Sequence, residues 1–273
     1  GRLKPRKHNM SQKLNLDLNA AIGLPQYDTP FLRADWPAPA QVKTLLTTRK
    51  GGVSKAPFAG LNVGAHVGDA PADVAHNRAL VAAEAGRPVA YLNQIHSPDV
   101  VEAAQSVHTA PDADAAVDRS GAAACAVMTA DCLPVLFCDR AGTVVGAAHA
   151  GWRGLAAGVL ENTVAAMGVP AAEIMAYLGP AIGPDAFEVG QDVFDTFCLP
   201  LPQAEAAFEP IGGGKYLADI YALARLRLQR EGVTQIYGGT HCTVLERDTF
   251  FSYRRDGQTG RMVSLIWLEK PEG

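Results

Sequence analysis

Three side chains in this sequence stand out for the chemistry they allow: His96, Cys132 and His149, the last two lying 36 and 53 residues beyond the first. Each stands where a strand-like run meets a turn. His96 is in "NQIHSPD", Cys132 follows Ala130-Asp131, and His149 sits between Ala148 and Ala150 just ahead of "GWRG". Two imidazoles and one thiolate are borderline-soft donors that suit zinc, and three protein ligands leave one tetrahedral position open, as in a catalytic site. A structural zinc site would show CxxC pairs and four protein ligands, and the chain has no CxxC. The same residues allow a metal-free chemistry, with Cys132 as nucleophile and His149 as its base. Spacing alone leaves both open. Asp131, beside Cys132, either orients a ligand or caps a turn. Cys125 and Cys138 lie in apolar runs and read as packing residues.

"HAGWRG" adds Arg153 and two glycines where a helix begins. Free N–H groups at a helix start favour an anion, and the planar guanidinium suits phosphate or carboxylate. The alternative is a surface charge beside glycines that serve only the turn.

These residues need elements to position them. Val42 to Thr48 is strand-like and ends at Lys50-Gly51-Gly52. "DAPADVAHNRALVAAEAG" predicts a helix that starts near Asp69 or Asp73 and stops at Gly86. Short strands are expected at Val89–Leu92 and Val100–Ala103. Cys125–Met128, Val135–Cys138 and Val144–Ala148 are expected to form one sheet segment, with "DRAG" turning between the last two. Helical spacing runs from Leu155 to Met167 and again from Leu217 to Glu231. The end, "TFFSYRRDGQTGRMVSLIWL", reads as a hairpin around Asp256 to Gly260. No Pro/Gly/Ser linker divides the chain, so residues 31–273 are expected to form one α+β catalytic domain. Residues 1–30 read as a polar leader. Met10 reads as the native start with residues 1–9 an expression remnant; the alternative is that residues 1–9 are a natural basic tail.

Composition narrows the function classes. The chain is 48% hydrophobic and 19% charged, ordinary for a soluble globular protein. A net charge of -4 provides no basic face for nucleic acid. No apolar run reaches the roughly 18 residues of a membrane-spanning helix. Five cysteines, odd in number and irregularly spaced, fit a reduced cytoplasmic setting.

The motifs "TTRKGGVS", "LNVGAHVGD", "NQIHSPDVV", "VMTADCLPVLFCD", "GAAHAGWRGLAAGV", "LGPAIGPDAFEVGQDV", "KYLADIYALAR" and "FFSYRRDGQTGRMVSLIWL" occur in this order. Together they resemble the bacterial YfiH/YlmD-type family, long labelled multicopper polyphenol oxidase or laccase-domain protein. That family is now associated with purine nucleoside phosphorylase and adenosine deaminase activities. The resemblance covers roughly residues 36–268. It implies an α+β fold with central, sandwich-like mixed β-sheets flanked by helices, similar to toxin-type cysteine hydrolases. It also implies zinc on His96, Cys132 and His149, with copper possible in the same site, and places Arg49 near the substrate. One departure is visible: Thr240-His241 stands in "GGTHCTV" where the resemblance leads one to expect a charged pair, while Cys242 fits.

The resemblance implies two reactions on purine nucleosides. For deamination of adenosine, metal-activated water would attack C6, with Asp131 as the candidate for proton transfer. The H-x-E…P-C-x-x-C signature of the familiar zinc deaminases is absent. For phosphorolysis of adenosine, inosine, guanosine or methylthioadenosine, phosphate must be held beneath C1′, and Arg49 and Arg153 are the candidate grips. Two other classes remain: a copper polyphenol oxidase, and a Cys132/His149 hydrolase of a cell-wall precursor amide. Seven histidines and no H-x-H run make a full multicopper relay hard to build from this chain.

Overall fold

From Leu133 to Asp139 every side chain is buried, and the fold accounts for this by covering both faces of the strand. In the computed structural model residues 27–270 are described. The early elements are β1 (Phe31–Leu32), β2 (Val42–Thr47), α1 (Pro71–Ala85), β3 (Val89–Ala90), β4 (Val100–Glu102) and β5 (Ala115–Asp118). The central ones are β6 (Ala124–Thr129), β7 (Leu133–Asp139), β8 (Val145–Ala150), α2 (Trp152–Ala157), α3 (Val159–Met167) and β9 (Ile174–Leu178). Then come β10 (Glu188–Gly190), α4 (Gln191–Cys198), β11 (Phe208–Gly212), β12 (Lys215–Ala218), α5 (Ile220–Arg230), β13 (Gln235–Gly238), α6 (Tyr253–Asp256) and β14 (Met262–Leu268).

The strands make a six-stranded sheet ordered β13-β9-β7-β8-β5-β4, a five-stranded sheet ordered β1-β2-β14-β6-β3, and a small sheet ordered β10-β12-β11. Parallel pairs (β13 with β9, β4 with β5, β3 with β6) sit among antiparallel ones, so both large sheets are mixed. The two large sheets pack face to face. Leu136 and Cys138 of β7 and Val145 and Ala147 of β8 meet Cys125 and Val127 of β6, Leu46 of β2 and Ile266 of β14. The alternate residues Val135, Phe137 and Ala148 face the other way, against Val159 and Val164 of α3 and Leu223 and Leu228 of α5. On the far side, Val81 and Ala85 of α1 cover Leu45, Ala126 and Leu265. Central strands covered on both faces read as unbroken apolar runs rather than alternating ones. The chain is therefore a mixed α+β domain with sandwiched sheets, as expected.

Several local expectations are corrected. β6 does not join β7 and β8 in one sheet; it pairs with β14 and β3 in the other. Three buried apolar strands carry no mark of which sheet they enter. The helix expected from Leu155 to Met167 is two helices, broken at Gly158 with φ 102, a left-handed angle that suits glycine. Its apolar stripe survives, with Leu155, Val159, Leu160, Thr163 and Val164 all buried. Leu217 belongs to β12, and the following helix starts only after Asp219, whose carboxylate accepts from the amide of Ala222 at 3.0 Å. The C-terminal hairpin does not form. Tyr253–Asp256 is a helical turn, and β14 pairs instead with β2 and β6.

Residues 1–26, most of the expected leader, lie outside the described residues. Residues 29 and 30 are tied to the domain: the Thr48 hydroxyl donates to the Thr29 carbonyl at 2.5 Å, and the Thr48 amide to that of Pro30 at 2.9 Å. Among the described residues, no helix is long and apolar enough to cross a membrane.

Candidate metal centre and its cavity

Strand register brings the three donors together. β7 and β8 run antiparallel with Leu133 opposite Ala150 and Pro134 opposite His149, so Cys132, just before β7, arrives beside the end of β8. β5 pairs with β8 from Ala115 opposite Ala148, and β4 pairs with β5 from Val100 opposite Ala115. The loop carrying His96, immediately ahead of β4, thus reaches the same sheet end. One donor atom from each of His96, Cys132 and His149 lies within 4.8 Å of the others. The two imidazole rings stand 4.9 Å apart, centre to centre.

The surroundings fit a metal ion. A Cβ built on Gly151 would stand 3.0 Å from both Cys132 Sγ and His96 Nδ1, so glycine keeps the space beside the donors clear. Asp114 Oδ2 meets His149 Nδ1 at 2.7 Å, which turns the other ring nitrogen toward Cys132. Burial pulls the His149 pKa down, but Cys132 and Asp114 outweigh it and raise it to about 9. Burial and the neighbouring His149 both hold His96 below its usual range. The Asp114 carboxyl would be raised by burial, yet its bonds to His149, Ser97 and Ile95 bring it down to about 2.

The donors line a cavity of about 550 Å³, within the range of roughly 300–1,000 Å³ usual for small-ligand sites. Its walls include Trp152, Phe187 and Tyr253, and its charged groups include Arg153, Arg254 and Arg261. Arg153 is exposed and lies over the Trp152 ring at 4.5 Å. Arg254 and Arg261 each anchor one nitrogen on backbone carbonyls, of Glu188 and of Thr259 and Gly260.

Two residues expected near the chemistry are engaged in other contacts. Arg49 does not line the cavity: its guanidinium donates to the carbonyls of Ala59 and Arg247 and lies 4.8 Å over Phe251. Those bonds hold two loops together. Asp131 does line the cavity, but Oδ1 accepts from the Thr243 hydroxyl at 2.6 Å and Oδ2 from the Arg254 amide at 2.7 Å. Its backbone is left-handed at φ 110, so the turn carrying Cys132 is strained and bolted down. Cys125 and Cys138 are fully buried, as expected of packing residues. His241 pairs with Glu246 at 3.0 Å, away from the donor set.

Sequence reasoning missed Asp114, Gln94 and His66. Gln94 both donates to and accepts from the Met128 backbone at 2.7 Å, tying the His96 loop to the end of β6. His66 lines the cavity from the "LNVGAHVGD" loop. Asp114 had a legible signal: one carboxylate between Ala113 and Ala115 at the mouth of an apolar strand.

The family model described as multi-copper polyphenol oxidoreductase laccase matches residues 43–269. The chain belongs to that family. Within this laccase-like family its relatives carry another activity in their names. A purine nucleoside phosphorylase of Pseudomonas aeruginosa is 52% identical over 240 residues, covering 88% of this chain and 98% of the relative. The Escherichia coli purine nucleoside phosphorylase YfiH is 53% identical over 235 residues, covering 85% and 96%. Among solved structures, a Neisseria meningitidis protein is 71% identical with a TM-score of 0.88, covering 89% of this chain and 100% of that one. YlmD from Geobacillus stearothermophilus is 32% identical with a TM-score of 0.84, covering 90% and 98%.

Proposed function

We propose that this chain is a purine nucleoside phosphorylase that uses zinc at His96, Cys132 and His149 and also deaminates adenosine in the same cavity. One observation carries the reading: the open His/Cys/His donor set shares a cavity with aromatic walls and three arginines. The names of the relatives support it. When bound, zinc supplies a Lewis acid and brings a coordinated water toward neutral pKa.

The chain's own residues do the rest. Arg153 makes no ion pair among the described residues and lines the cavity, and its planar guanidinium suits phosphate, which supports a grip there. Trp152, Phe187 and Tyr253 offer the aromatic surface on which a purine packs. In phosphorolysis a phosphate oxygen bonds to C1′, the C1′–N9 bond breaks, and the base leaves with the electron pair and takes up a proton. In deamination water adds at C6 and ammonia leaves, giving inosine. Asp131 has both oxygens engaged and serves to hold the Cys132 turn. Cytoplasmic residence fits five free cysteines and nucleoside substrates.

The oxidase description of the family asks for a copper relay rich in imidazoles. Among the described residues the gathered donor group holds two histidines and one cysteine, enough for one ion. Copper in that same trio, or a metal-free Cys132/His149 pair, is separated from the zinc reading by elemental analysis of the active protein.

The deciding experiment is product analysis by chromatography for adenosine, inosine, guanosine and methylthioadenosine, with and without phosphate. Phosphate-dependent release of free base, with about one zinc per chain, is expected; some adenosine should become inosine regardless of phosphate. Absence of phosphate-dependent base release from all four would overturn the phosphorylase.

A further inference from the structure

We propose that Asp114 is the positioning residue that assembles the metal centre, holding two of its three donors with one carboxylate; this rests on the metal reading above. The Asp114 side chain is fully buried, one residue ahead of β5. Its Oδ1 accepts from the amides of Ile95 at 3.0 Å and Ser97 at 2.8 Å and from the Ser97 hydroxyl at 2.9 Å. Its Oδ2 accepts from the amide of His96 at 3.0 Å and meets His149 Nδ1 at 2.7 Å.

Each partner constrains a metal ligand. Three consecutive amides converge on one carboxylate while His96, in the middle, is left-handed with φ 61. That conformation is uncommon for a residue other than glycine, and the three amide hydrogen bonds to Asp114 hold it there. The carboxylate therefore shapes the loop that delivers the His96 ring. On the other side, accepting Nδ1–H from His149 leaves Nε2 with its lone pair facing the donor set. The register makes this dual hold possible, because the His149 amide also donates to the Asp114 carbonyl at 2.7 Å.

A carboxylate is the only side chain of this size that fits. All five approaching groups are donors once Nδ1 carries the proton, and an ionised carboxylate only accepts. An amide would set an N–H₂ against donors in either orientation. Turned toward His149, it would push the ring proton to Nε2, converting the ligand nitrogen into a donor.

The test titrates metal-free protein with zinc against a chromophoric chelator for the unaltered chain, Asp114→Asn and Ser97→Ala. The ¹⁵N spectrum of the neutral His149 ring is recorded alongside to read which ring nitrogen carries the proton. Asp114→Asn should weaken zinc binding roughly 10–100-fold and shift His149 toward the Nε2–H tautomer. Ser97→Ala, which removes one donor to Oδ1, should weaken binding about threefold and leave the tautomer alone. Zinc affinity within about twofold of the unaltered protein, with Nδ1–H retained, in Asp114→Asn overturns the proposal. Should that variant not fold, an Nε2–H tautomer in the unaltered protein, or unchanged affinity in Ser97→Ala, overturns it instead. If the unaltered chain binds no zinc yet shows Nδ1–H at His149, the metal reading fails while the hold of Asp114 on the ring stands.

Discussion

Thr243 donates its hydroxyl to Asp131 at 2.6 Å across 112 residues of sequence, fastening the turn that carries Cys132 to the segment leading into α6. Both side chains are buried. Asp131→Ala would leave that hydroxyl without its acceptor, at a cost of about 1–3 kcal/mol. Denaturant unfolding should show this loss of stability, while kcat of the folded fraction falls only modestly. A hundredfold drop in kcat with unchanged stability would make Asp131 catalytic and reverse the assignment.

Cys132 and Gly151 define the donor side of the cavity. Cys132→Ala should remove most bound metal by elemental analysis and leave the circular dichroism spectrum nearly intact, since the residue lies in a turn before β7. Gly151→Ala keeps all three donors but sets a methyl 3.0 Å from two of them. Zinc affinity should fall by at least about tenfold, as when supporting groups around a site are disturbed. Full metal retention in Cys132→Ala would end the ligand assignment.

Metal binding should release protons. In the metal-free protein His149 is raised to about 9, so its charged form contributes stability fully below the unfolded value near 6.5, and that contribution is lost as pH rises through about 9. Bound ligands are neutral imidazoles and a thiolate, so zinc uptake at pH 7.5 should expel at least about one proton, that of His149, and any proton still on the Cys132 thiol as well. Calorimetry in buffers of different ionisation enthalpy reads this directly. Proton-neutral binding at pH 7.5 would contradict the raised pKa.

Arg153 is the candidate phosphate grip. Arg153→Lys keeps the charge and loses the planar fork, so the phosphate KM should rise about tenfold, with the nucleoside KM and zinc content nearly unchanged. Deamination, which uses water, should fall less than phosphorolysis. Equal loss of both rates at an unchanged phosphate KM would show Arg153 to be scaffold.

Much of this was legible in the residues themselves. His96, Cys132 and His149 stood out by type and by position at strand ends, allowing an open donor set or a Cys/His pair, and the family resemblance pointed to the metal. The burial of Cys125 and Cys138 and the helix closed by Gly86 followed from local pattern, because periodicity and turn chemistry act within a few residues. What only the tertiary structure decided depends on pairing between distant strands. β6, β7 and β8 are alike in apolarity, yet β6 joins the other sheet, since a strand buried on both faces has no alternation to declare its partner. Asp114 and Asp131 are chemically the same side chain. Register sets Asp114 beside His149, while the turn between β6 and β7 sends the Asp131 carboxylate to Thr243 and Arg254, so one meets an imidazole and the other ties down a turn. Arg49 sits in a motif as suggestive as that of Arg153, but the folded loops around Ala59 and Arg247 occupy its guanidinium, and Arg153 reaches the cavity. A side chain's type sets which bonds it can make; the neighbours that folding brings decide which of them remain for a ligand.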